Sequence, residues 1–248
     1  MTGFVLTYYQ RLSQLQKTLE SFCQYEAKDF FVVIVDDNSP SELILPAYPF
    51  DITILRLSEK RWVAPAPVFN FGFVHALKRN PANIILQNAE CYHNGDILGY
   101  VHHHLTESNY LSFGCYSLGA GQDVNLQILN NRIAVSNGDS AWYNHSQYRP
   151  EALHFCCAIR SDNLKKLNGF DERFSDGLGY EENYFIHQVR VLGLDVRIVD
   201  NPFVFHQYHY DTKAFTFNDN LYTRNANLFR ELKKRNEYRA VHIYSEDL

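Results

Sequence analysis

The sequence lacks any run of eighteen apolar residues, so no stretch of it reads as a membrane-crossing helix. Residues 3–8 already read as a strand, and the expectation is a cytoplasmic chain with neither a signal peptide nor a transmembrane anchor. Cysteine is sparse and unpaired in pattern. Cys23, Cys91, Cys115, Cys156 and Cys157 are odd in number and show no CxxC spacing, which argues against a disulfide framework or a cysteine zinc site and fits a reducing compartment. There is no basic excess either: 23 Lys and Arg against 28 Asp and Glu give a net charge of −5, so nothing points to nucleic acid or an anionic membrane as partner. An anionic ligand would need local neutralisation by a metal, a helix N-terminus or a few Lys and Arg. The segment TYYQRLSQ contains no glycine, so a glycine-rich phosphate loop near the N-terminus is missing. No repeat, low-complexity tract or linker appears, and one domain over 1–248 is the reading.

What the chain does have is apolar residues (46%) and aromatics, 17 Tyr and 18 Phe, enough to fill a sizeable core. Aromatic-lined clefts also suit carbohydrates, whose C–H faces stack on rings. Residues 3–8 form a short apolar strand, and Leu12, Leu15, Leu19, Phe22 and Cys23 recur at helical spacing. Phe30 to Val35 is a continuous apolar run, the mark of a strand buried on both faces. Strand, helix, strand within about thirty residues is a βαβ unit, so the sheet begins parallel. Further strands are predicted at 51–57, 83–87, 110–116, 155–159, 196–199 and 203–206. Helices are predicted at 68–79, 97–107, 162–167, 181–192 and 219–237. Residues 117–150 are polar and without period, and read as acceptor-side loops with at most a short hairpin.

Ligands of open α/β sheets bind beyond the carboxyl ends of the strands. Thr7, Asp36-Asp37 and Glu90 fall at such ends, although Asp-Asp-Asn-Ser is also a good turn and helix-cap sequence. Lys60 and Arg61 follow the third strand and read as a solvated pair. His206 and His209 follow a late strand; a carboxylate and imidazoles together suit Mn²⁺ or a similar ion if they converge. The densest signal is NGFDERFSDGLGYEENYF, Asn168 to Phe185, where Asp171, Glu172, Asp176, Glu181 and Glu182 alternate with glycines and aromatics. Acids in a first helical turn are favoured by the helix dipole, which accounts for Glu181 and Glu182 but not for the glycines and Tyr180 before them. Neighbouring helical residues point about 100° apart, so these two carboxylates should have different jobs. Asp171 and Glu172 read as turn and surface residues on the way in.

The order Thr7, VDDNS, FNFG, NAE, NGFDE and GYEEN resembles an inverting family 2 glycosyltransferase of GT-A fold, and the second half resembles a galactosyltransferase C-terminal region. The resemblance runs from Thr7 to about His209. It implies an α/β fold with a mainly parallel central sheet flanked by helices, a nucleotide-binding half over about 1–105 and an acceptor-binding half over about 106–248. It further implies that Thr7, Asp36 and Asp37 bind the nucleoside and that Asn70 lies near the donor. Asn88 and Glu90 would occupy the Asp-x-Asp position, with Glu90 and His206 or His209 holding Mn²⁺ or Mg²⁺. Glu182 would be the catalytic base and Glu181 its acidic neighbour. Two departures stand out: Asn88 replaces the first Asp and removes one charge from the metal site, and Glu stands where the family's base is Asp. The activity implied is single-displacement transfer from a nucleotide sugar, UDP-linked by preference, to a glycan or glycoconjugate hydroxyl in polysaccharide biosynthesis. The alternatives are a non-catalytic nucleotide-sugar or glycan-binding protein of the same fold and a nucleotidyltransferase.

Overall fold

A computed structural model describes residues 1–122, 124, 141–209 and 218–248. The first unit is β1 (Thr2–Tyr8), α1 (Leu12–Phe22) and β2 (Phe30–Asp36), with β1 and β2 paired in parallel. All seven residues of β2 are buried, as the unbroken apolar run requires. Then follow β3 (Asp51–Arg56), α2 (Ala66–Leu77), β4 (Asn83–Asn88), β5 (Cys91–Asn94) and α3 (Ile97–His104). The second half holds β6 (Asn109–Ser117), β7 (Trp142–Asn144), β8 (Cys156–Arg160), α4 (Ser161–Leu167), α5 (Glu181–Val191), β9 (Asp195–His206) and α6 (Asp219–Lys233).

These strands make one sheet in the order β3-β2-β1-β4-β8-β6-β9-β5, with β7 on β6. Strands β1 to β4 are parallel, as expected; beyond β4 the sheet is mixed, because β8 runs antiparallel to both β4 and β6 while β9 runs parallel to β6. The two stretches read as separate strands at 196–199 and 203–206 are one strand, β9, whose register against β6 shifts between Phe113 and Gly114. Strand β5 was not foreseen; four residues are too few to show a period. Of the loop region 117–150, residues 123 and 125–140 lie outside the described residues, and the remainder includes β7, which pairs antiparallel with β6.

Two apolar cores fill the opposite faces of the sheet. Phe4, Leu6, Leu15, Phe22, Val32 and Ile34 pack on the α1 face, and Val5, Val33, Phe69, Phe73, Ile84 and Phe185 on the α2 and α5 face. Alternate residues of β1 and β2 feed the two cores, so each strand is locked from both sides. At about 1.5–3 kcal/mol for each fully buried large side chain, this frame holds its edges rigidly.

The reading of Asp171 and Glu172 as surface residues is corrected here, since both are buried. Glu172 accepts backbone N–H bonds from Ile243, Tyr244 and Ser245, a hydroxyl bond from Ser245 and an amide bond from Asn70. Asp171 accepts from both Nε and Nη2 of Arg173 and from the Val241 N–H. Apart from Arg173 and Asn70, the partners of these acids come from residues 241–245, some seventy residues away, which local sequence cannot reveal. Burial opposes the charge of Glu172, but the donors from Ser245, Tyr244 and Asn70 outweigh it and hold its pKa below the usual value.

Candidate active site

One edge of the sheet collects the polar residues. The register aligns Thr7 of β1 with Val35 of β2 and Asn88 of β4, so Thr7, the Asp36-Asp37 turn and Asn88 sit side by side where the parallel strands end. Strand β9 also ends at this edge, pairing His206 with Cys91 just after Glu90. Because β8 is antiparallel to β4, it contributes its beginning rather than its end, and this brings His154 to the same edge. A cleft of about 670 Å³ opens there, lined by Thr7, Tyr9, Arg11, Asp37, Lys60, Asn88, Glu90, His154, Glu181, Glu182, His206 and His209 among others.

Asp37 accepts from the Trp62 indole at 3.0 Å and is ion-paired with Lys60. Burial raises its pKa, and Lys60 works against that shift. Lys60 therefore belongs to the cleft and not to a solvated pair, whereas Arg61 pairs with Glu59 on the surface. Asp36 lies beneath. One of its oxygens accepts the Ser39 N–H at 2.9 Å and caps the turn, so of the two aspartates Asp37 is the one that meets the cleft. Asn70 does not line this cleft: fully buried in α2, it pairs with both the N–H and C=O of Phe170 and donates to Glu172. It ties α2 to the acidic stretch and has no free polar atom to offer a ligand.

Glu90, His206 and His209 converge, with one ligand atom from each within 4.8 Å of the others. Both imidazole Nε2 atoms approach Glu90 Oε1, at 3.3 and 3.4 Å, and Arg11 Nη1 reaches the same oxygen at 2.8 Å. Glu90 Oε2 is buried and has no hydrogen-bond partner. Burial works against the Glu90 charge, yet His206, His209 and Arg11 together hold its pKa well below the carboxylate range. An ionised oxygen donor with a spare buried lone pair beside two imidazoles fits a divalent cation. Arg11 is the group such an ion would have to displace.

Glu181 and Glu182 open α5 and also line the cleft. Gly179 and Tyr180 before them both have positive φ, 69° and 70°. For tyrosine this left-handed conformation is strained, and such strain persists only where the surroundings enforce it. Asn225 of α6 is the enforcer, donating to the C=O of Phe174 at 2.9 Å and of Gly179 at 2.8 Å. Gly177 lies flat against that amide, and any side chain there would collide with it. Burial pushes the Glu181 carboxyl up to about 7 and that of Glu182 up to about 8, the latter helped by the neighbouring charge of Glu181. Glu181 Oε2 is buried without a hydrogen-bond partner, while the Glu182 side chain keeps about 25% of its surface open. His154 Nε2 stands 3.4 Å from Glu182 Oε1. A lone histidine in HFCCAI carries no motif, and its place beside Glu182 follows from the antiparallel course of β8, which only the fold reveals.

The architecture is the GT-A fold, and solved structures with this fold superpose on it. S. aureus TarS 1-349 aligns over 98% of this chain and 67% of its own at 13% identity and a TM-score of 0.61. GalNAc-T7, solved with UDP, GalNAc and Mn²⁺, aligns over 94% and 50% at 13% identity and a TM-score of 0.64. The mannosyltransferase PcManGT from Pyrobaculum calidifontis, solved with GDP-Man and Mn²⁺, aligns over 86% and 58% at 15% identity and a TM-score of 0.53. The chain thus spans half to two thirds of the length of these solved chains, and 36% of the longer TarS structure. No curated protein matches the sequence. Residues 4–166 match the model of glycosyl transferase family 2, and the chain belongs to that family. It is a glycosyltransferase. No helix among the described residues is long and apolar enough to cross a membrane.

Proposed function

We propose that the protein transfers a sugar from a nucleotide-sugar donor, UDP-linked, to a hydroxyl of a glycan or glycoconjugate with inversion at the anomeric carbon. The observation that carries this reading is that Glu182 and Asp37 line the same cleft as the converging Glu90, His206 and His209 group. TarS has been solved with UDP and with UDP-GlcNAc, and the two other neighbours with Mn²⁺, which supports a nucleotide sugar and a divalent cation as ligands. The sheet edge built by residues 1–105 takes the donor, and 106–248 supply the acceptor side.

In this mechanism Asp37, Thr7 and Asn88 hold the nucleoside. Glu182, ionised, takes the proton of the acceptor hydroxyl as that oxygen attacks the anomeric carbon from the face opposite the diphosphate. The bond to the diphosphate breaks with its electron pair, and a single displacement inverts the centre. Glu90, His206 and His209 would hold a divalent cation, which would supply positive charge to stabilise the departing diphosphate. Glu181, more deeply buried, supports the loop that presents Glu182. Holding both sugars in line contributes further by proximity.

A thermal-shift screen of UDP-, GDP-, dTDP- and CMP-sugars with Mn²⁺ identifies the donor, with the UDP-sugars expected to stabilise most. Glu182→Gln is then expected to abolish transfer while donor affinity stays within about twofold. Full activity in that variant, or an equal loss of binding and transfer, would overturn the assignment of the base.

A further inference from the structure

The histidine beside Glu182 is not used in the mechanism above. His154 is buried, with 2% of its side chain exposed, and its ring is walled edge-on by Phe69 at 5.1 Å and Phe170 at 4.8 Å. Neither wall yields, because both phenylalanines are fully buried core residues from different segments. The ring therefore has one fixed orientation. Nδ1 faces the interior with no hydrogen-bond partner, and Nε2 faces Glu182 Oε1 at 3.4 Å across the cleft wall.

The tautomer follows from this geometry. Burial pushes the imidazolium down to about 3, so the ring is neutral and carries one N–H. A buried N–H without a partner is rarer and costlier than an unpaired acceptor, so the proton resides on Nε2 and Nδ1 keeps its lone pair. An Nε2–H aimed at a carboxylate favours its ionised form. At 3.4 Å the contact is long for a hydrogen bond, but such contacts in unliganded sites commonly tighten when substrate binds.

We infer that His154 is a positioning residue for Glu182, donating its Nε2–H to one carboxylate oxygen so that the other faces the acceptor hydroxyl in the ionised state. The inference rests on Glu182 as the base. His154 gains and loses no proton in the step. The acceptor proton passes to the free oxygen of Glu182, the acceptor oxygen bonds to the anomeric carbon, and the diphosphate leaves with the electron pair. The other groups facing Glu182 are Glu181 on its own helix, Tyr110 of β6, Cys157 of β8 and Arg149 in the turn after β7. Tyr110 and Cys157 are held neutral by burial, and Arg149 is exposed. Of the buried neutral groups around this carboxylate, His154 is the one whose nitrogen stands 3.4 Å from Oε1.

The test is an infrared pH titration of the full chain. The carboxylic-acid stretch of Glu182 is assigned by its disappearance in Glu182→Gln. His154→Leu is expected to raise its midpoint by about one pH unit, the scale of a lost charge-assisted bond. His154→Gln, whose amide N–H reaches a similar position, is expected to keep it within a few tenths. With the donor found in the screen, kcat should fall about 10–100-fold in His154→Leu with donor KM unchanged, and most of it should return in His154→Gln. Should the leucine variant not fold, His154→Asn, one methylene shorter, takes its place. An unchanged midpoint in the Leu or Asn variant, or equal loss of kcat in Gln and Leu, would overturn the inference. Failure of the underlying reading would appear separately, as retained transfer in Glu182→Gln.

Discussion

Arg11 Nη1 lies 2.8 Å from Glu90 Oε1, the oxygen that both His206 and His209 approach. The guanidinium thus occupies the place of a cation beside a carboxylate that has an unpartnered second oxygen. Asn88 in the same cleft carries no charge, so one arginine and one carboxylate already balance. A metal bound here competes with Arg11 for Glu90, and Arg11, on the cleft wall, is free to swing toward a diphosphate.

Arg11→Ala is therefore expected to act in opposite directions on two ligands. Affinity for Mn²⁺ alone should rise about three- to tenfold, since a partly exposed ion pair is worth on the order of 1 kcal/mol. Affinity for UDP in chelator should fall by a similar factor. Calorimetry with each ligand separately reads both; a parallel change in the two would refute the exchange.

The two raised carboxyls set the pH behaviour. Transfer needs Glu182 ionised, and its pKa is pushed up to about 8, so kcat/KM should climb about tenfold per unit up to pH 8 and then level off. Stability should run the other way. An acid whose folded pKa lies above its unfolded value holds a proton in the native state that the unfolded chain releases, so stability is lost as pH rises from about 4.5 to about 8. Glu182→Gln removes the Glu182 share of that loss. Its Tm should match the wild type at pH 5 and exceed it at pH 8.5, which scanning calorimetry at the two pH values checks.

Sequence patterning foretold the elements whose residues carry their own reason. Phe30 to Val35 is buried on both faces because every residue is apolar, and the end of β2 could be marked because the turn cluster DDNSP follows it. Strand ends and the family resemblance together singled out Thr7, Asp37, Asn88, Glu90, Glu181, Glu182, His206 and His209, which line one cleft. What it could not show depends on long-range direction. The rule for parallel strands looks only at strand ends, so the start of antiparallel β8, and His154 with it, escaped. Lys60, Arg11 and Glu172 are charged residues in polar surroundings by sequence. Their partners lie 23, 79 and about 70 residues away, beyond any local period.

Glu172 is expected to behave as a folding residue. Its two oxygens collect three backbone N–H groups, a serine hydroxyl and the Asn70 amide, and a neutral amide cannot accept all of them. Glu172→Gln should cost about 2–4 kcal/mol, the penalty of stranding buried donors and placing an NH₂ against N–H groups. Because the native pKa is lowered, the Glu172 contribution is present above the unfolded value and is lost as pH falls through the folded one. Urea unfolding at pH 7 and pH 4 should find the variant's deficit large at the first and smaller at the second.

Asn225 controls the loop that presents the two glutamates. Its Nδ2 joins the carbonyls of Phe174 and Gly179, on either side of Gly177, and so fixes the positive φ angles of Gly179 and Tyr180 from which α5 starts. Asn225→Ala strands two carbonyls and leaves a gap against Gly177, at a cost of about 2–3 kcal/mol, or roughly 5–10 °C in Tm for a chain of this size. The strained Tyr180 would then relax, and Glu182 would lose its aim. Transfer should fall at least tenfold while UDP affinity, which depends on other residues of the cleft, changes little. Binding calorimetry beside steady-state kinetics separates the two. A variant that loses stability and nucleotide affinity together would mean that the loop holds up the whole cleft rather than the base alone.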